Sequence, residues 1–162
     1  MTFDGRGRYQ ASRAQQTAHG LAPQALVPNM VPGAVFVVAD HRVSMPHPIG
    51  VTRDIHPTRR VIIVSGHVLT RAVRPNTLLI VPCSASRGSV GPHDLLLPDD
   101  EAAFTSEKVV AVASLLGPIL KSDLQSHVGD LRTETLERLQ AVILANLGVV
   151  SFPMIAVPTP KS

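Results

Sequence analysis

Two short stretches hold the residues best suited to chemistry. The first, LLIVPCSASRG (78–88), begins as an apolar run and ends in Cys83, Ser84, Ser86 and Arg87. The second, HPTRR (56–60), sets His56, Arg59 and Arg60 at the head of another apolar run, VIIVS. Guanidiniums offer a planar fork of donors that matches phosphate oxygens. Hydroxyls donate and accept, and an imidazole, with a reference pKa of about 6.5, exchanges protons near neutrality. Gathered around one spot, these groups suit a phosphodiester.

Strand pairing is what can gather them. RVIIVSG (60–66) is rich in β-branched residues, and Leu78–Val81 is apolar and mostly β-favouring. Pro75-Asn76 supplies turn chemistry between the two runs. As antiparallel neighbours, a register with Ile62 opposite Val81 also sets Val64 opposite Leu79 and Arg59 opposite Ser84. Directly opposed Cα atoms lie about 4.5–5.5 Å apart. The start of one strand and the end of the other then share one edge, which carries His56, Arg59, Arg60, Ser84, Ser86 and Arg87.

Each residue also has a plainer reading. Arg59 and Arg60 can flank a strand as solvated gatekeepers, Ser84 can merely end one, and Cys83 suits a small buried hydrophobe. His41, His47 and His56 share the loop 40–58, but their irregular spacing and proline-rich setting argue against a metal site. His93-Asp94 with Ser84 suggests a hydrolase triad, yet no nucleophile-elbow pattern surrounds the serine. No glycine-rich phosphate loop is present.

The rest of the chain bounds the setting. Its 162 residues suit one domain plus tails, with enough apolar content for a core. Aromatic residues are 3%, with no Trp, which argues against aromatic stacking platforms for nucleic acid. A single Cys excludes an internal disulfide and a cysteine zinc cage. No apolar run reaches the roughly 20 residues that span a bilayer, and MTFDGRGRYQASRAQQTAHG lacks a signal-peptide core. The expectation is a cytoplasmic protein without membrane contact. Residues 1–92 hold ten Arg and three Asp, a balance of +7, whereas 93–162 hold five basic and nine acidic residues, −4. The first half therefore suits a polyanion.

Periodicity divides the chain into a flexible N-terminal tail (1–29), a folded region (30–149) and a C-terminal tail (150–162). Strands are expected at 33–39, 60–66, 78–83, 93–98, 108–114 and 127–131, and a turn at GPILKSDL. In TETLERLQAVILANLG, Leu136, Leu139, Val142, Ile143 and Leu147 form a helical stripe, with Thr133 as N-cap and Gly148 as stop. Strands this closely spaced leave no room for parallel crossovers. The architecture expected is mainly β: a small antiparallel barrel closed by a C-terminal helix.

Taken together, four segments resemble the PemK/MazF family of toxin endoribonucleases. PGAVFVV matches the family's opening strand. RRVIIVS stands for its Arg-Pro strand, with Arg60 where Pro is usual. VPCSAS matches its VPCT or PLTS ending, and LLGPILKSDLQSHVGDLRTETLERLQAVILANLG matches its closing helix region. The resemblance spans about residues 30–149. It implies an SH3-like, PemK-type barrel, a homodimer, a cognate antitoxin, and cleavage of single-stranded RNA, such as mRNA, with no cofactor or metal. It implies catalytic roles for Arg59 and Ser84, the latter where Thr is usual. His56, Arg60, Ser86 and Arg87 would bind substrate.

The chain departs from the family at Ser114, Leu115, Leu116, Gly117 and Pro118, where a polar pair is missing. That departure favours a second reading, a non-catalytic module on the same barrel that clamps a protein target, as gyrase poisons do, or binds nucleic acid uncut. The parsing itself is testable. Limited proteolysis should trim the first residues and leave a stable core; unfolding on removal of residues 1–25 contradicts it.

Overall fold

The computed structural model describes residues 30–45, 56–72, 74, 76–85, 91–101, 103–104 and 108–149. The tails 1–29 and 150–162 lie outside the described residues. In chain order the elements are β1 (Ala34–Ala39), β2 (Thr58–Ile63), α1 (His67–Arg71), β3 (Thr77–Ser84), β4 (Leu95–Leu96), β5 (Val110–Ala111), β6 (Gly117–Leu120), β7 (His127–Asp130) and α2 (Thr133–Asn146). The strands form one curled sheet in the order β4-β5-β3-β2-β1-β7, with β6 also paired to β3, and every pairing is antiparallel. The mainly β half-barrel with a C-terminal helix is the architecture expected.

Both faces of the sheet are covered, which explains why β1 is apolar at every position. Alternation along the strands sorts its side chains into two clusters. Ala34, Phe36, Val38, Val61, Ile63, Leu78 and Ile80 pack on the inner face with Val43, Ile119 and Leu124. Val35, Ile62, Val81 and Cys83 pack on the other face beneath Leu139 and Ile143 of α2 and Phe104 of the connecting segment.

Pro82 explains how β3 serves two outer neighbours. β3 pairs β6 through Thr77–Ile80 and β5 through Cys83 and Ser84. Pro82 falls between, where no ladder donor is needed, and its carbonyl accepts the Val112 N–H at 2.9 Å. A bulge between Val35 and Phe36 in the β1–β7 pairing brings Gly129 to φ +151°. A Cβ there would meet Ala103 Cβ at 3.2 Å, so glycine lets the connecting segment lie close on the sheet.

Several expected elements differ. HVLTR folds as α1 rather than a plain connection, and GPIL is β6 rather than a turn, followed by a 3-10 turn at Lys121–Asp123. The expected strands 93–98 and 108–114 shrink to two residues each. Thr133 is not the N-cap of α2. Arg132 occupies the capping position, and its side chain makes no capping bond, pairing instead with Asp100 and Glu101. Its backbone N–H donates to Glu101 Oε2 at 3.1 Å, and Thr135 Oγ1 donates to Glu101 Oε1. Gly148 does end the helix: it adopts φ +71°, its N–H reaches the Ala145 carbonyl, and that of Val149 reaches Leu144.

The end of α1 is held by a buried cation. Lys121 Nζ donates to the carbonyls of Leu69 at 2.8 Å, Thr70 at 3.3 Å, and Ala72. Lys121→Met should leave those buried acceptors unmatched, costing about 2 kcal/mol of unfolding free energy. Urea titration should show a lower midpoint at unchanged slope; an unaltered midpoint refutes the role.

Candidate functional site

The candidate site lies at the sheet end where β1 finishes, β2 starts and β3 finishes. β2 and β3 pair with Val61 opposite Pro82, Ile62 opposite Val81 and Ile63 opposite Ile80. This is the register expected from sequence, and continued outward it sets Arg60 beside Cys83 and Arg59 beside Ser84. On its other side β2 pairs β1, with Val38 opposite Arg59 and Ala39 opposite Thr58.

The two arginines separate by face. Arg59 alternates with Val61 and Ile63 and so belongs to the inner face, where the β3 alternation also puts Ser84. Its Nε donates to Asp40 Oδ1 at 2.6 Å and its Nη1 donates to the Cys83 carbonyl at 2.8 Å, immediately before Ser84. The Arg59 and Asp40 side chains are 9% and 2% exposed, so this ion pair is largely out of water. Three N–H groups of the Arg59 fork are left without a partner among the described residues. Arg60 goes to the opposite face, its Cζ lying 5.5 Å from the centre of the Phe104 ring, a cation–π contact at an exposed position. One edge therefore carries both cations, but they do not converge on one spot.

The remaining expected residues fall as follows. Ser84 is partly exposed and opposes Val110 of β5. His56 is exposed, two residues before β2. Ser86 and Arg87 lie outside the described residues. Cys83 is buried, as its plainer reading held, and burial pushes its thiol pKa up to about 12, against the smaller opposing pull of Arg60 and Arg59. The triad reading fails: Asp94 Oδ1 accepts Ser114 Oγ–H at 2.9 Å, and His93 Nδ1 lies 3.0 Å from Asn146 Oδ1. Among the described residues no three His, Cys, Asp or Glu side chains gather as a metal site would require.

Asp40 is the residue that sequence reading missed. In the sequence it reads as the first residue of the long loop 40–58, although it directly follows a strand and is one of only three acids in the Arg-rich first half. Lys108, exposed and two residues before β5, adds a further cation beyond Ser84 on this edge.

No protein-family model matches the chain, and no curated protein matches it. Solved structures do. An endoribonuclease from a mycobacterial species matches 76% of this chain and 94% of its own at 15% identity, with a TM-score of 0.53. A mycobacterial endoribonuclease in complex with its cognate antitoxin matches 75% of this chain and 98% of its own at 15% identity, with a TM-score of 0.54. A MazE–MazF structure from Deinococcus radiodurans matches 73% of this chain and 93% of its own at 12% identity, with a TM-score of 0.51. The fold is thus that of these endoribonuclease and MazF structures. More particularly, it is the MazF-type half-barrel that the sequence resembles. No helix among the described residues is long and apolar enough to cross a membrane.

The Cys83 environment yields a direct check. A buried thiol with so high a pKa holds almost no thiolate at pH 8. Iodoacetamide should leave the native protein unlabelled and modify Cys83 only after denaturation. Stoichiometric labelling of the folded protein refutes this placement of the β3 end.

Proposed function

We propose that this protein is a toxin-type endoribonuclease that cuts single-stranded RNA, mRNA included, without a metal, and that a cognate antitoxin restrains it. The observation that carries the reading is a guanidinium anchored next to a strand-end serine, Arg59 by Ser84, on one edge of a MazF-type half-barrel. A homodimer in the cytoplasm completes the reading, by resemblance to the family.

The chemistry follows from these groups. The ribose 2′-oxygen attacks the adjacent phosphorus, the new P–O2′ bond forms, and the P–O5′ bond breaks. The 2′-hydroxyl gives up its proton and the departing 5′-oxygen gains one, leaving a 2′,3′-cyclic phosphate and a 5′-hydroxyl. Negative charge grows on the phosphoryl oxygens in between. Donors fixed in advance stabilise that charge without reorganising, and the unengaged N–H groups of Arg59 suit this task. Arginine is a poor base, since a guanidinium does not give up its proton in proteins. Ser84 orients the 2′-hydroxyl or donates to a phosphoryl oxygen. His56, exposed just ahead of β2, would bring an imidazole to the substrate on this edge. Arg60, Ser86 and Arg87 would hold the flanking backbone, Arg60 from the opposite face. The acidic, disorder-prone segment typical of a partner that folds on binding would cover the same basic edge.

One observation favours the non-catalytic alternative. The Arg59 side chain is only 9% exposed and already paired, so a module that binds a target through the surrounding surface would not need its reach.

Purified protein, freed of any antitoxin, decides between them. With a long single-stranded RNA in EDTA, cleavage to 2′,3′-cyclic phosphate and 5′-hydroxyl ends is expected. Arg59→Ala should lower turnover by about 100- to 1000-fold, about 3–4 kcal/mol, with far less effect on RNA affinity. Ser84→Ala should also lower turnover, whereas Ser84→Thr should retain activity. Loss of cleavage in EDTA refutes the metal-free mechanism. Absence of cleavage by folded protein favours the binding module.

A further inference from the structure

The geometry points to Asp40 as the residue that positions Arg59, an inference that rests on the reading of Arg59 given above. Asp40 is the first residue after β1, in a 3-10 turn, and it is buried. Its backbone is fixed from both sides, its N–H reaching the Pro57 carbonyl and its carbonyl accepting the Val43 N–H at 3.1 Å. The carboxylate therefore projects from a fixed point onto Arg59 Nε, 2.6 Å away. The second anchor, the Cys83 carbonyl, belongs to β3. One guanidinium is thus tied to the ends of two strands flanking its own.

Two anchors in different directions fix the plane of the fork. A lone arginine on an exposed strand end samples many rotamers, and most of them point its donors away from any one phosphate. With Nε and one Nη1 hydrogen taken up, the remaining N–H groups keep a single orientation next to Ser84. Nearby negative charge weakens attraction for a phosphate, so Asp40 is a poor choice for raising RNA affinity. Its gain is orientation, which acts on turnover.

Asp40 is accordingly a positioning residue, and its removal should separate turnover from binding. Asp40→Ala should lower turnover on a short single-stranded RNA by about 100-fold, the scale of an ångström misplacement. Affinity for that RNA should hold or rise. Asp40→Asn keeps an acceptor at the same distance without the charge, so it should fall between, with a loss of about tenfold. A purely structural role predicts losses that follow the melting temperature and lowered affinity as the fold loosens.

A second readout does not depend on cleavage. In isotope-labelled protein, the Arg59 Nε–H should exchange slowly with solvent and be rigid. Both properties should survive in Asp40→Asn and vanish in Asp40→Ala. Fast exchange of this proton in the wild type overturns the proposal, whether or not RNA is cut. So does wild-type turnover by folded Asp40→Ala. Faster turnover in that variant also overturns it, because Asp40 would then restrain Arg59 rather than orient it. If Asp40→Ala does not fold, the asparagine variant decides by the same split between turnover and affinity. Wild-type protein that cuts no RNA but keeps a rigid, protected Nε–H sinks the endoribonuclease reading and leaves the anchoring intact.

Discussion

The antiparallel register of β2 on β3 is the constraint on which the rest of the molecule depends. Side chains alternate with a period of two, so a slip by one residue would exchange the faces of a whole strand. It would send Arg59 towards Phe104 and drive Arg60 against Asp40. Apolar residues hold that register, because both faces are buried: Ile62 and Val81 beneath α2, Val61, Ile63 and Ile80 against Phe36 and Ile119. The hydrophobic core thereby decides which of two adjacent arginines meets the buried carboxylate.

Among the described residues charge is buried at three places, and each time it meets a backbone group. The Glu101 carboxylate takes an N–H at the start of α2, and the Lys121 ammonium takes carbonyls at the end of α1. Each sign suits the end of the helix it meets. Both charges come from segments distant in sequence, and so they also tie connections to helices. Arg59 differs, because it meets a strand end rather than a helix end and its carboxylate partner is itself buried. Removing an ion from water costs several kcal/mol, and pairing often does no more than offset that. Stability is therefore a weak account of the Arg59–Asp40 pair, whereas a fixed orientation is something an apolar pair could not supply.

What the sequence made legible is what apolar periodicity records. β1, β2, β3 and the stripe of α2 were readable, and with them the pairing that puts Arg59 beside Ser84. The strand β6 was not, because Gly117-Pro118 is turn chemistry in isolation and becomes strand only by pairing with Leu79 and Ile80. α1 is five residues long, too short for a period to emerge. The α2 cap was misread because a threonine at the right place is a local signal, while Glu101 acts from 31 residues away. The same limit hid Asp40. An acid after a strand is ordinary, and only the chain's return at Arg59, 19 residues later, gives it a purpose. Arg60 was placed on the correct edge but not on its own face, although alternation alone distinguishes it from Arg59.

The departure from the family pattern at Ser114–Pro118 now has a location. Pro118 opposes Leu79, five residues along β3 from Ser84, about 17 Å at the usual rise per residue. Ser114 turns instead to Asp94, on the far side of β5 from β3. Neither touches Arg59, Asp40 or Ser84. The missing polar pair therefore leaves the charge and geometry of the Arg59 edge intact. What it changes is the surface further along the sheet, where Leu79, Pro118 and Leu120 are exposed and apolar. On the proposed function, those three side chains offer a phosphodiester no donor, and the described cations at the other end of the sheet, Arg59, Arg60 and Lys108, would carry the grip on RNA. Under that reading the departure bears on how RNA is selected more than on how it is cut.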